Sequence, residues 1–262
     1  MSHLSNDEAL RALEIDGFRL FKDTVGAALL TRLRRDLATV YEKRRAIQKR
    51  NGIAGGMEGT CHHLLGERTA MDDFVAALPL DAFIRAFFGG PYILNSFGGF
   101  INEAGQSDGY IGAVHRDVRT YTPDFRQMLN MLVMLDDFTP ENGATHLLPG
   151  SHRTEDKPTE RAFFDAAKRA EGNAGDILLF DSRLWHAAGA NRTDAPRRAL
   201  TLTFSRPFFK QQLDYPQFLG DAYAETLTPA VRQILGYDAR VPATIEEFYQ
   251  PPDKRAYKSD QG

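Results

Sequence analysis

Several features are nearly missing from this chain of 262 residues. A single cysteine, Cys61, leaves no partner for an intramolecular disulfide, so a reducing compartment is expected. No run of about 18 apolar residues occurs, and the first residues lack a basic stretch leading into an apolar one. Neither a membrane span nor a secretory signal is therefore expected, and a soluble cytoplasmic protein is the default. An excess of charge of either sign is also lacking: 32 Lys and Arg against 35 Asp and Glu give a formal net charge of -3. Nothing in that balance draws nucleic acid or an anionic membrane, which leaves a small molecule as the expected partner. The Gly-rich stretch 51–66 is not followed by Gly-Lys-Ser/Thr, which excludes a phosphate loop there. No internal repeat or linker divides the chain, so one domain over 1–262 is expected, long enough for a sizeable core. Oligomeric state is not legible.

What is present falls into a helical region 1–90, a strand-rich core from about 92 to 206 and an extension over 207–262. Ser5-Asn6-Asp7-Glu8 reads as the start of a short helix ending near Asp16-Gly17. A strand is expected over Gly17 to Phe21. Val25, Leu29, Leu33, Leu37 and Tyr41 recur every fourth residue and predict a long amphipathic helix from Asp23 or Thr24 to about Arg50. Its basic end suits a helix C-terminus. Residues 51–66, with Cys61-His62-His63, read as a mobile loop or lid; neighbouring side chains seldom converge on one ion. Residues 70–88 read as two short helices broken at Pro79. Strands are expected at Tyr92–Asn102, around His115, at Met128–Leu135, Thr145–Leu148, Asp176–Phe180 and Ala199–Ser205, dense enough in apolar residues to be buried on both faces. This is the pattern of a β sandwich or barrel covered by helices. A helix is expected over Thr228–Leu235, and a frayed polar tail after Pro252.

The chemistry concentrates in Val114-His115-Arg116-Asp117 and, some seventy residues on, Trp185-His186. A strand alternates its side chains, so His115 and Asp117 share a face and Arg116 points away. Two imidazoles and one carboxylate on one side of an ion, with the other positions open, is the set used by non-haem Fe(II) oxygenases. His186 is the candidate third ligand. Asn130 is the odd polar residue in the apolar run Met128–Leu135 and needs a partner. A dicarboxylate cosubstrate needs a cation at its far end, which a guanidinium fork matches. Arg197 fits better than Arg198, since it shares its face with Thr201 and Thr203, whereas Arg198 shares the opposite face with Leu200, Leu202 and Phe204. His152 lies in a Pro-Gly-Ser turn and reads as structural.

The set His115-Arg116-Asp117, the stretch from Leu135 to Arg153 containing Glu141-Asn142-Gly143 and Leu148-Pro149-Gly150-Ser151-His152, then Trp185-His186 and Arg197, resembles the phytanoyl-CoA dioxygenase family of Fe(II)/2-oxoglutarate oxygenases over about Asp16 to Arg206. The resemblance implies a mainly β fold with flanking helices, built on a double-stranded β-helix, the cupin-like jelly roll. It implies Fe(II) on His115, Asp117 and His186, with 2-oxoglutarate and O2 as cosubstrates and Arg197 on the C5 carboxylate. It further places Asn130 and Thr145 as contacts to 2-oxoglutarate. The family often has glutamine where Arg116 stands and arginine where His146 stands. Hydroxylation of a C–H bond with release of succinate and CO2 is the expected outcome, with desaturation, cyclisation and epimerisation open. Halogenation is disfavoured because Asp117 fills the position a halide would need. A cupin-type metalloenzyme without 2-oxoglutarate and a non-catalytic jelly-roll binding protein remain alternatives. The substrate is not legible; the 51–66 loop, the strand with Asn95, Phe97 and Asn102, the Tyr110–Val114 approach, the 206–215 stretch and the cations Arg119, Arg126 and Arg206 are candidates to meet it.

Overall fold

A computed structural model describes residues 6–105 and 112–261. The expected cap Ser5, and Tyr110 with Ile111 of the approach to His115, lie outside them. The first helix, α1, runs Asn6–Asp16 with Asp7 and Glu8 in its first turn, where acids suit the helix dipole. Strand β1 follows at Phe18–Phe21. Helix α2 spans Ala27–Arg50, starting later than its periodicity suggests. The reason is tertiary: the Thr24 and Val25 amides both donate to the Gly175 carbonyl, at 3.0 and 2.9 Å, and Asp23 is left-handed. Those residues are held by another segment before the helix can begin. Helices α3, Ala70–Ala76, and α4, Asp81–Phe88, are separated at Pro79 as expected.

The core strands are β2 (Thr60–His62), β3 (Ile93–Asn102), β4 (Met128–Met134), β5 (His146–Leu147), β6 (Lys168–Arg169), β7 (Ile177–Asp181), β8 (His186–Ala187) and β9 (Arg197–Ser205). The major sheet is antiparallel, in the order β1-β7-β4-β9-β3-β2, and the minor sheet has the order β6-β5-β8. Alternation sorts each central strand into two faces. Leu129, Met131, Val133, Leu200, Leu202 and Phe204 turn outward onto Leu33 and Leu37 of α2 and onto Phe74, Phe83 and Phe87 of α3 and α4. Leu132, Met134, Leu178, Phe180 and Ala199 turn inward and meet Leu147 of the minor sheet. The core is therefore a jelly roll whose outer face is sealed by helices. Full burial of a Leu or Phe contributes about 1.5–3 kcal/mol, so the helix layer holds the major sheet firmly.

Three expectations need correction, and one further helix in the core region was not expected. The 51–66 stretch is not all loop, since Thr60–His62 pairs antiparallel with β3 as an edge strand too short to show a period. The His115 segment is not a strand; it makes one isolated bridge, to His186. The tail after Pro252 does not fray: Ala239 bridges Tyr257, and the buried Gln261 amide exchanges hydrogen bonds with Gln233. Helix α5, at Glu160–Ala166, was not expected; Thr159 caps it. The extension carries α6 (Tyr215–Leu219), α7 (Asp221–Ala224), α8 (Pro229–Ile234) and α9 (Ile245–Phe248). Of these only α8 was expected, with Thr228 as cap and Pro229 at its first turn. Among the described residues no helix is long and apolar enough to cross a membrane.

Candidate metal centre

The bridge between His115 and His186 builds the site from backbone. His115 N–H donates to the His186 carbonyl at 3.0 Å and His186 N–H returns the bond at 2.8 Å, which sets the two rings 4.3 Å apart. The Asp117 and Val118 amides both donate to the Ser182 carbonyl, at 3.0 and 3.2 Å, anchoring the carboxylate beside them. His115 Nε2 is 3.6 Å from Asp117 Oδ1, and His186 Nε2 is 3.9 Å from Asp117 Oδ2. Atoms bound to one ion at about 2.1 Å lie about 3–4 Å from each other, so the three groups are spaced for a shared metal. They form the cluster of possible metal ligands among the described residues.

Tautomer and orientation are set as well. His115 Nδ1 lies 2.8 Å from the Ala113 carbonyl and His186 Nδ1 lies 2.9 Å from the Leu184 carbonyl. A carbonyl can only accept, so each Nδ1 carries a proton, and in the neutral ring the lone pair is then on Nε2, which faces Asp117. Burial, aided by His115, pushes the His186 pKa down against the pull of Asp117. The neutral imidazole it favours is the form that binds metal.

Asn130 turns inward from β4, donates from Nδ2 to Asp117 Oδ2 at 2.7 Å, and accepts from the Thr203 hydroxyl at 2.9 Å. Its partner is thus the carboxylate. Phe180 packs edge-on to the His186 ring at 5.0 Å.

Arg197 is 1% exposed at the inner start of β9. Its guanidinium lies 4.1 Å from the Phe138 ring, Nε donates to the Asn142 carbonyl at 3.1 Å, and the buried Nη2 has no partner. Burial lowers its pKa to about 10, opposed by Asp136, so it stays a cation at neutral pH. A buried cation with a free donor calls for an anion. Arg198, by contrast, is gripped by both oxygens of Asp136, at 2.8 and 3.0 Å. Thr145 is buried just ahead of β5, with its carbonyl accepting from Ala170 N–H at 2.8 Å.

The other candidates disperse. Arg116 points away, donating to the Thr154 and Arg119 carbonyls and stacking 5.0 Å from Trp185. His146 packs against Phe164, and His152 Nε2 is 3.1 Å from the Glu14 carbonyl. Arg126 is paired with Glu14, Arg206 lies over Phe125, and Phe97 faces the helix layer. Cys61 turns outward, where burial pushes its thiol up to about 12, and His63 meets the Tyr215 hydroxyl at 3.1 Å. Asn102, expected only as a candidate to meet substrate, pairs across the strands with Arg197, and its Nδ2 donates to the carbonyl of Gly189, a residue missed in the sequence, at 3.1 Å. Gly143, left-handed, sits so close that a Cβ would lie 2.2 Å from that carbonyl.

The profile of a family described as phytanoyl-CoA dioxygenase matches residues 13–199. An uncharacterized protein of Mycobacterium tuberculosis, Rv1501, is 39% identical over 65% of this chain and 61% of its own length. The dioxygenase FUM3 of Gibberella moniliformis is 32% identical over 49% of this chain and 45% of its own. The chain therefore spans about half to three fifths of these curated relatives. Among solved structures, EctD from S. alaskensis with bound Fe superposes with a TM-score of 0.64 at 20% identity, covering 84% of this chain and 86% of that one. The non-haem α-ketoglutarate-dependent epimerase SnoN from nogalamycin biosynthesis gives 0.60 at 18% identity, over 76% and 80%.

Proposed function

This chain belongs to the phytanoyl-CoA dioxygenase family, and from that premise we propose that it is an Fe(II)- and 2-oxoglutarate-dependent dioxygenase that hydroxylates a small molecule with release of succinate and CO2. The observation that carries the reading is the pairing of the His115–Asp117–His186 cluster with a buried, part-unpartnered Arg197 on the same inner wall. Solved structures of similar fold are described with iron and with 2-oxoglutarate.

In this reading the Nε2 atoms of His115 and His186 and the Asp117 carboxylate hold Fe(II), which supplies the O2-dependent oxidation when bound. The protein's part is to bind and orient. Arg197 takes the far carboxylate of 2-oxoglutarate, completing the donor set that Asn142 leaves unfilled. Phe100 and Phe138 flank the guanidinium, at 5.6 and 4.1 Å, and keep water from it, which strengthens that pairing. Asn130 bonds the carboxylate ligand and Thr203, and with a second Nδ2 hydrogen left over it stays a contact to 2-oxoglutarate on the family resemblance. Thr145 stays a contact to 2-oxoglutarate on the family resemblance. A cupin-type enzyme without 2-oxoglutarate has no use for an unpaired cation at this depth, and a binding protein has no use for the triad. A cytoplasmic setting fits the free, buried Cys61.

The test is O2-dependent conversion of 2-oxoglutarate to succinate with Fe(II) present. Wild type turns over, and Asp117→Ala abolishes it; near-normal turnover in that variant removes the assignment.

A further inference from the structure

The inner wall of the major sheet holds a polar opening that the metal and 2-oxoglutarate do not use. Its position follows from register: His62 of β2 pairs with Gly98 of β3, Gly98 with Thr201 of β9, and Thr201 with Leu132 of β4. Cross-strand partners point to the same face, and Leu132 belongs to the cluster between the two sheets. His62, Gly98 and Thr201 therefore face the cavity that also receives Asn130, one inward position along β4 from Leu132.

Three observations single out this row. Thr201 is exposed although it sits mid-strand in the interior of the sheet, with Leu200 and Leu202 fully buried beside it. Gly98 has no side chain, and a Cβ there would come within 2.9 Å of the Thr201 hydroxyl and 3.7 Å of His62 Cδ2, so the glycine lets these two polar side chains approach one point of the wall. His62 is itself exposed, yet burial by surrounding protein lowers its pKa, the condition of a side chain in a concave wall. His62 and Thr201 make no side-chain hydrogen bond among the described residues. From β2 to β4 is three strand spacings, about 14 Å, so a small molecule fits between His62 and the Asp117 end.

Building on the oxygenase reading above, we propose that His62, with the Thr201 hydroxyl across Gly98, is the substrate-recognition element, and that the substrate is a neutral, mostly apolar small molecule carrying a hydroxyl or carbonyl group. A neutral imidazole both donates and accepts, which suits such a group. Phe100, Leu132 and Phe180 offer the skeleton an apolar wall. Among the inward residues of β2, β3 and β9, the only cation is Arg197, which the same reading commits to 2-oxoglutarate, so an anionic substrate finds no partner on these strands.

The experiment uses the Fe(II)–2-oxoglutarate protein without O2, titrated with borneol and camphor beside camphane, and with 1-tetralol and 1-tetralone beside tetralin; proline and palmitate are charged controls. Binding is read by the perturbation of the weak visible band and by protection of His62 from diethyl pyrocarbonate, followed by peptide mass. The oxygenated members bind about tenfold more tightly than their hydrocarbons and protect His62, the yield of one hydrogen bond. His62→Ala erases the preference, His62→Asn keeps part of it, and both variants retain the wild-type 2-oxoglutarate midpoint. The proposal is overturned if hydrocarbons bind as well as their oxygenated partners, if only the charged controls bind, if nothing binds, or if His62→Ala keeps the preference. A wild-type protein that develops no band with 2-oxoglutarate overturns the oxygenase reading instead, before any of these compounds is added.

Discussion

Asn130 Nδ2 donates to Asp117 Oδ2 at 2.7 Å, so the carboxylate of the proposed ligand set is held by a side chain from the middle of the major sheet. The same amide accepts from Thr203 on β9, which ties the metal site to two adjacent strands. Removing such a partner of a ligand typically weakens metal affinity about 10–100-fold. Asn130→Ala is expected in that range and Thr203→Val below it. The chain has one tryptophan, Trp185, next to His186, so quenching of its fluorescence by Fe(II) or Co(II) gives the affinity directly.

Arg197→Gln removes the cation proposed to meet 2-oxoglutarate. Loss of a charge-assisted bidentate pair raises the 2-oxoglutarate midpoint by at least about 100-fold, with the metal affinity kept. Arg198→Gln is the control, because its guanidinium is committed to Asp136, and it leaves that midpoint unchanged. Calorimetric titration of the metal-loaded proteins separates the two.

Gly143→Ala forces a side chain into a left-handed position, φ 82°, against the Gly189 carbonyl. Backbone strain alone costs about 1–3 kcal/mol in urea unfolding. Because Asn142 supplies the carbonyl that Arg197 Nε donates to, 2-oxoglutarate binding weakens in parallel.

How far the sequence could be read divides along the same lines. His115, Asp117 and His186 were legible because ligand chemistry restricts residue types and alternation restricts their faces. The structure reaches that shared face by a single backbone bridge, not by the expected strand. Arg197 was separable from Arg198 by the polarity of its strand neighbours, and burial agrees. Asn130 was legible as a polar residue in need of a partner, but the partner lies on a loop, and no local pattern names it. The row of His62 was out of reach: its strand has three residues, and its neighbours Gly98 and Thr201 are distant in the chain. Helices α6, α7 and α9 are too short for a periodic signal, and they take their form from packing.

His63 carries a pH signature away from the metal. Burial, with the nearby His62 and Arg44 charges, lowers its pKa from 6.5 to about 4. Between those values the unfolded chain binds a proton that the folded chain refuses. Stability is then full above about pH 6.5 and is lost as the pH falls toward 4. His63→Asn, which tolerates the left-handed backbone there, makes the fall in melting temperature shallower across that window. His146, also lowered to about 4, accounts for slope that persists.

Convergence of three protein ligands and one cation on a metal–keto acid unit is tested most directly by anaerobic titration of the Fe(II) protein with 2-oxoglutarate, followed by visible absorption. A weak charge-transfer band that saturates in wild type and is absent in His186→Ala is the expected result. Absence of the band in iron-loaded wild type, or its survival in His186→Ala, contradicts the account.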